Sequence, residues 1–222
     1  MANTVEQIYD ELRNRIINLD LVPGTKIKEE DLAIEYHTSR TPIRSVIARL
    51  EKDGLVEVMP KKGTYVSKIE ATDMNTLIYI RKAVEMSILD LLAGHLTDNQ
   101  KDKLNAILDE QKEIISMDTS ISKSRLFYEN DNKFHETLFE FASQSKAWAI
   151  VSKNATALNR VRVMANLRES SRVEEIYEYH SKMVLNLISG NAEEAKKLFA
   201  DHLDGGFDGL NTVIEKYSDY FL

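Results

Sequence analysis

The sequence contains no cysteine, only three prolines and eight glycines among its 222 residues. Without cysteine there can be no disulfide framework, thiolate zinc finger or cysteine nucleophile, and this composition is typical of a reducing compartment. No apolar run approaches the roughly 18 residues that a membrane span needs. The N-terminal segment also lacks the basic-then-apolar layout of a signal peptide. We therefore expect a cytoplasmic protein that does not contact a membrane.

The scarcity of proline and glycine predicts long helices, because both lie well below their usual roughly 5% and 7%. Their distribution is also uneven, since all three prolines fall within the first 60 residues. This contrast predicts a turn-rich domain at residues 1–69, a linker at 70–72 and a helix-rich domain at 73–222.

In the first domain, apolar residues recur at intervals of three and four and predict helices at 4–19, 29–36 and 40–53. Two short strands are predicted at 55–58 and 64–67, joined by a turn that contains proline and glycine. Three helices followed by a hairpin are typical of a winged helix-turn-helix.

The second domain shows helical periodicity throughout, and the fold class is therefore mainly α. We expect an all-helical antiparallel bundle of six to seven helices after the N-terminal winged helix-turn-helix. The predicted helices span residues 73–95, 98–117, 122–142, 146–167, 172–189, 192–202 and 207–221.

The formal net charge of −7 argues against nucleic-acid binding when it is taken as an average over the chain. The charge is unevenly distributed, however. Residues 1–69 contain 11 basic and 11 acidic residues, whereas residues 70–222 contain 18 and 25. Within residues 36–68 there are 7 basic and 3 acidic residues, a net charge of +4. The positive charge therefore lies on the third helix and the hairpin.

The third helix could enter a DNA groove, because Arg40 and Arg44 are four residues apart and share one helix face. Arginine at the front of such a helix can bind guanine O6 and N7. Hydroxyls at the helix N-terminus and lysines at the hairpin tip suit phosphate contacts. A helical domain with a solvated basic face is the alternative. The candidate DNA-contacting residues are Ser39, Arg40, Thr41, Arg44, Arg49, Lys61, Lys62 and Gly63.

The series S-R-T-P-I-R at 39–44, G-L-V at 54–56 and P-K-K-G-T-Y-V at 60–66 resembles the DNA-binding domain of GntR-family bacterial transcription regulators. The resemblance covers about residues 4–68. It implies that Arg40, Thr41, Arg44 and Gly63 contact operator DNA, with Ser39 supporting them. The sequence departs from the pattern at Glu30, where some members have a DNA-contacting arginine.

Three histidines and one aspartate lie on apolar helix faces of the second domain. Asp131 and His135 are four residues apart and share a face, while His180 and His202 lie on later helices. Core histidines bonded to neighbours are one interpretation. A metal site is the other, because imidazole and carboxylate ligands inside a helical bundle suit zinc, nickel, manganese or iron.

The set Arg81, Glu85, D-x-x-F-H at 131–135, His180 and His202 is similar to the FCD effector domain of the FadR-type GntR subgroup. The resemblance covers about residues 73–218. It implies a divalent metal ion, with zinc as the first expectation. The implied ligands are Asp131, His135, His180 and His202.

Four protein ligands leave open positions on an octahedral ion, where a carboxylate effector could bind. The other oxygens of the effector would need cationic partners, and Arg81, Arg160 and Arg162 are the candidates. Because Arg160 and Arg162 are two residues apart, at most one should face the pocket. We expect Arg81 to be the first choice as a partner of the effector oxygens and Arg160 the second.

The favoured hypothesis is a homodimeric transcription regulator, a repressor, that binds a pseudo-palindromic double-stranded operator and responds to a small organic acid. A metal-dependent hydrolase is the alternative, because an Asp/His₃ ion with open positions could activate water. No glutamate is placed as its general base in the manner of H-E-x-x-H. In a third interpretation the protein binds DNA and the metal is purely structural.

Overall fold

The computed structural model describes residues 4–118, 120–168, 170–208 and 210–222. The N-terminal part has the predicted three helices, and a third short strand joins the hairpin. Its elements are α1 (Val5–Ile17), β1 (Lys26–Ile27), α2 (Glu29–Glu35), α3 (Arg40–Lys52), β2 (Val56–Met59) and β3 (Gly63–Val66).

Helix α1 begins at a capping box, in which Thr4 and Gln7 satisfy each other's backbone amides. Its apolar side chains Ile8, Leu12 and Ile16 are fully buried and pack with Ile43, Val46 and Leu50 of α3. This packing leaves the opposite face of α3 in solvent, which is where Arg40 and Arg44 lie.

The three strands form one antiparallel sheet in the order β1-β3-β2. Val56 pairs with Val66 in the hairpin, and Lys26 of β1 pairs with Tyr65 on the other side of β3. Strand β1 was not predicted, because two residues are too few to show an alternating pattern. The hairpin is therefore anchored to the chain between α1 and α2.

The C-terminal part has eight α-helices among the described residues, followed by a short 3-10 helix at Ser218–Tyr220. The mainly helical fold class is confirmed. The α-helices are α4 (Thr72–Leu92), α5 (Asp98–Ile115), α6 (Ile121–Phe141), α7 (Ser145–Asn154), α8 (Thr156–Arg168), α9 (Ser170–Ser189), α10 (Ala192–Asp208) and α11 (Leu210–Lys216).

The helix predicted at residues 146–167 is in fact two helices, α7 and α8, which meet at Ala155. Ala155 has φ −87° and ψ 21°, and its amide bonds to Ser152 instead of continuing the α-helical ladder. No proline or glycine marks this break, so the periodicity alone could not locate it. The helix predicted at 207–221 ends at Lys216, and Phe221 then forms a β-bridge with Ile69.

The bundle core lies between α4, α5, α6, α9 and α10, and its largest fully buried side chains are Phe134, Phe139 and Phe199.

Gly94 allows the chain to pass close to the end of α9. Its φ is +74°, its amide donates to Leu187, and a Cβ at this position would lie 3.4 Å from the Cα of Gly190.

The two parts of the chain contact each other through α1, α6 and α8. Ile17 at the end of α1 packs with Tyr128 and Val163 of the bundle. The Nε of Arg125 donates to the carbonyl of Asn18 at 2.9 Å, and its guanidinium pairs with Asp20 at 2.5 Å. The domain boundaries at residues 69 and 73 stay predictions.

Candidate functional site

Helix α3 presents Arg40 and Arg44 on its exposed face, one turn apart. About half of the Arg40 side chain and two thirds of the Arg44 side chain are in solvent. Both guanidinium groups meet carboxylates of α2. The Nε of Arg44 donates to Glu29 at 2.8 Å, and Arg40 pairs with Glu30. The half-buried Glu29 and the exposed Glu30 therefore hold the arginines that could enter a groove.

The other predicted contacts of α3 lie near its N-terminus. Ser39 is the N-cap residue, with φ −85° and ψ 170°, but its hydroxyl makes no capping hydrogen bond. Thr41 is exposed in the first turn. Both residues are thus placed where the unbonded amides of a helix start attract phosphate.

The hairpin turn carries Lys61, Lys62 and Gly63, the predicted wing contacts, and both lysines are exposed. Lys61 has a positive φ of 64°, and Gly63 has a φ of +125°. A Cβ at Gly63 would lie 3.0 Å from the Cε of Lys26, so glycine suits both the backbone conformation and the space at this position.

Arg49 lies on a different side of α3 from Arg40 and Arg44. Its guanidinium bonds to the carboxylate of Glu6 and stacks over the ring of Tyr9, 3.7 Å from the ring centroid. The hydrogen bond to Glu6 raises the pKa of Arg49. This arginine thus joins α1 to α3, and charge alone could not distinguish it from the exposed pair.

The four predicted metal ligands converge at the centre of the bundle. Asp131 and His135 come from α6, His180 from α9 and His202 from α10. Each residue offers one ligand atom, and these four atoms all lie within 4.8 Å of one another. All four residues are buried. We call this group the Asp/His cluster.

The imidazoles of the cluster are packed against each other and against aromatic rings. The His180 ring centroid lies 5.3 Å from that of His135 and 5.0 Å from that of His202. Burial lowers the pKa of all three histidines, and for His180 and His202 it lies well below the usual value. Neutral imidazoles keep a lone pair, which is what a metal ion requires.

Two side chains outside the cluster orient its imidazoles. The Nδ1 of His135 lies 2.8 Å from a carboxylate oxygen of Glu85. The Nδ1 of His180 lies 3.1 Å from Oε1 and 3.0 Å from Nε2 of the fully buried Gln111. When Glu85 and the Gln111 oxygen accept from Nδ1–H, both rings present the lone pair of Nε2 to Asp131.

Sequence reasoning did not identify Gln111. It lies on α5, among exposed charged residues in the sequence, and only its fully buried position shows that it is part of the site. Its place three, four and seven residues after Leu108, Ile107 and Leu104 was the available signal.

The three arginines predicted to hold an effector take three different positions. Arg162 pairs with Asp131 and lies over the ring of Tyr128. Arg81 is buried and bonds to Glu85 at 2.5 Å. Arg160 faces the other side of α8, where it donates to the carbonyl of Ser67 at 2.7 Å. Arg162, and not Arg160 as expected, therefore lies beside the cluster.

Glu85 places a negatively charged carboxylate beside His135, and Arg81 pairs with that carboxylate. Burial opposes ionisation of Glu85, but Arg81 and His135 outweigh this effect and lower its pKa to about 2. The carboxylate is thus ionised at neutral pH and available to accept from the His135 ring.

The donor set fits a divalent transition metal. Three neutral imidazoles and one carboxylate suit zinc, nickel, manganese or iron. Buried polar atoms support the same assignment, because Nε2 of His180 and Nδ1 of His202 have no hydrogen-bond partner among the described residues. Buried polar atoms without partners are costly, and a metal ion would satisfy them.

We expect the metal-free protein to lose stability as the pH falls below about 6.5. Burial holds the pKa of His180 and His202 well below 6.5 in the folded chain, so the unfolded chain binds more protons at low pH. Together they should reduce the unfolding free energy by about 3 kcal/mol between pH 7.5 and 5.5. Urea unfolding at both pH values measures this loss, and His202→Gln should reduce it by about half. An unchanged free energy would contradict the prediction.

The winged helix-turn-helix and the bundle with its Asp/His cluster define a class of protein, a DNA-binding regulator with a helical effector domain. The comparisons agree. The profile of "Bacterial regulatory proteins, gntR family" matches residues 4–66, and that of the "FCD domain" matches residues 76–205. The chain belongs to the GntR family of transcription regulators, in the group that carries an FCD domain.

Curated relatives match along almost the full chain. The HTH-type transcriptional repressor RspR of Escherichia coli strain K12 is 26% identical over 97% of this chain and 92% of its own length. Family and relatives are transcription regulators and not enzymes, so the hydrolase alternative is not retained.

Solved structures share the fold. E. coli McbR/YncC superposes with a TM-score of 0.79 at 15% identity, covering 98% of this chain and 100% of that one. A putative transcriptional regulator GntR from Rhodococcus sp. RHA1 has a TM-score of 0.71 at 23% identity, covering 96% of this chain and 98% of that one.

Among the described residues, no helix has the length and apolar character of a membrane span.

Proposed function

We propose that this regulator is a metal-dependent repressor that acts in the cytoplasm and releases its operator when a small organic acid binds beside the Asp/His cluster. The observation that carries the proposal is the convergence of four buried ligand atoms in the chain that also presents Arg40 and Arg44 to solvent. Repression is further supported by RspR, whose name describes a repressor.

The residues that would hold the metal are Asp131, His135, His180 and His202. When bound, a divalent ion of this kind supplies open coordination positions for carboxylate oxygens. Arg162 lies beside Asp131, and Arg81 of α4 lies beside Glu85. Both arginines could therefore hold the remaining oxygens of the effector. Zinc is our first choice, because it accepts this mixed nitrogen and oxygen set and, having no geometric preference from its d-electrons, can expand beyond four ligands to take a carboxylate oxygen.

The proposed regulator binds its operator as a homodimer. A single copy places only one Arg40–Arg44 face on DNA, whereas a dimer reads two half-sites of a pseudo-palindrome roughly 34–36 Å apart. Helix α4 offers a surface for the second copy, because Tyr79, Ile80 and Leu91 are large, apolar and exposed. Exposed apolar groups of this kind favour association between subunits.

Helix α8 provides a physical connection between the cluster and the DNA-binding domain. Arg162 contacts Asp131, while Val163 packs with Ile17 of α1 and Arg160 bonds to Ser67 after β3. An effector that shifts α8 would therefore change the position of α3. A coupling free energy of about 1–3 kcal/mol would change operator affinity about 5- to 150-fold.

A gel shift with the DNA upstream of its own gene, in the presence of zinc, tests the proposal. We expect specific binding that a screen of small organic acids weakens in wild type but not in the cluster variant His180→Gln. If no acid changes binding, or if the variant responds equally, effector control at the cluster is wrong. If chelation melts the bundle instead of only abolishing the acid response, the metal is purely structural.

We expect Gln111→Leu to weaken zinc binding by about 10- to 100-fold, because loss of a hydrogen bond that orients a metal-binding histidine has effects of this size. Leucine fills the space but cannot accept from Nδ1 of His180. Competition with a chromogenic chelator measures the dissociation constant.

The matched control for this prediction is Gln111→Glu, which retains an oxygen acceptor at the same place and should preserve zinc affinity. Equal zinc affinity in wild type and Gln111→Leu would show that Gln111 only fills space in the core.

A further inference from the structure

A second cleft lies between the DNA-binding domain and the bundle, and it shares no residue with the Asp/His cluster. Its volume is about 520 Å³, within the range of small-molecule sites. Lys52 at the end of α3 and Lys68 after β3 line one side, and Arg160 of α8 lines the other. Three cationic side chains from both domains therefore face one cavity.

Arg160 is the unusual group in this cleft, because it is a buried cation for which the described part of the chain shows no ion pair. Only 2% of its surface is exposed, and its guanidinium donates to the carbonyl of Ser67. Its Nε has no hydrogen-bond partner among the described residues. Burial lowers the pKa of Arg160 to about 10. A buried charge without a partner is costly.

Two acidic residues, Asp53 and Glu70, also line the cleft. Asp53 accepts a hydrogen bond from the hydroxyl of Tyr9 at 2.5 Å, on the α1 side. Glu70 is exposed. Lys52 and Lys68 are also exposed, so both can turn toward a ligand at the cavity entrance.

We propose that this cleft binds a small, multiply charged oxyanion, a phosphate or a dicarboxylate, between Arg160 and the two lysines. The guanidinium fork matches two oxygens of such an anion, and its free Nε would gain an acceptor. The bound anion joins the bundle to the end of α3 and to the segment after β3. It therefore holds the DNA-binding domain in one orientation, independently of the metal.

Calorimetric titration of the full-length protein with inorganic phosphate and, separately, with succinate tests the site, with sodium chloride at equal ionic strength as the reference. We expect saturable binding of at least one anion, with a dissociation constant below about 10 mM. Enzyme sites for metabolites commonly have KM values up to about 1 mM. Binding of phosphate alone identifies a phosphoryl ligand, and binding of succinate alone identifies a carboxylate.

Variants locate the binding and separate it from the metal site. Arg160→Gln should weaken it by at least 10-fold, about the effect of losing one charge-assisted pair. His202→Gln should leave it unchanged, even if the metal proposal fails. If Arg160→Gln does not fold, Lys68→Ala replaces it and should weaken binding several-fold, with Lys62→Ala at the hairpin tip as the charge-matched control. No saturable binding, or equal binding in Arg160→Gln or its substitute, overturns the proposal.

Discussion

Replacing His202 with Gln should weaken zinc binding by about 100- to 1,000-fold. Structural zinc sites contribute about 10–16 kcal/mol in total, so each of four ligands accounts for about 2.5–4 kcal/mol. His202 comes from α10, while the other three ligands come from α6 and α9. Loss of its imidazole therefore removes the ligand that α10 contributes to the cluster.

Two measurements check this result, zinc content after dialysis and the rise in melting temperature when zinc is added. In wild type, zinc at 100 times its dissociation constant should stabilise the fold by about 2.7 kcal/mol. His95→Gln is the matched control, because His95 is exposed beyond the end of α4 and lies outside the cluster. An undiminished zinc response in His202→Gln would contradict the ligand assignment.

The second large effect concerns the DNA-binding face. Arg44→Ala should weaken binding to the specific operator by about 5- to 150-fold, because an arginine bound to a guanine contributes about 1–3 kcal/mol. Since the side chain is two thirds exposed and only bonds to Glu29 at the surface, its loss should leave the unfolding free energy almost unchanged.

Arg49→Ala is the internal control on the same helix. Arg49 carries the same charge, but it bonds to Glu6 and stacks on Tyr9, so its replacement should affect stability more than operator affinity. Fluorescence anisotropy with labelled operator and urea unfolding separate the two effects. A larger loss of operator affinity in Arg49→Ala than in Arg44→Ala would show that the DNA-binding face is assigned wrongly.

Most of the helices could be predicted, because their buried faces repeat every three to four residues over long segments. The break at Ala155 could not, since it depends on how α7 and α8 pack and not on a local signal. Strand β1 has only two residues, and it exists because β3 offers it an edge to pair with.

The candidate site likewise contains features that the sequence predicts and features that depend on packing. The spacing of Asp131 and His135 places both on one face of a helix whatever the rest of the chain does. Whether His180 and His202 meet them depends on the packing of α9 and α10 against α6, which no local pattern specifies. Arg160 and Arg162 are equivalent in sequence, and only the rotation of α8 directs one to the cluster and the other to the interdomain cleft.

Composition and periodicity are local properties of the chain, and they were sufficient to predict the fold class, the location of positive charge between residues 36 and 68, and the residue types able to bind a metal. Which polar groups lose their water depends on how the helices pack. Burial makes the histidines neutral, turns Gln111 into a partner of His180, and leaves Nε of Arg160 without a hydrogen-bond partner among the described residues. Desolvation arises from helices that are distant in sequence, and their packing therefore set the chemistry of both proposed sites.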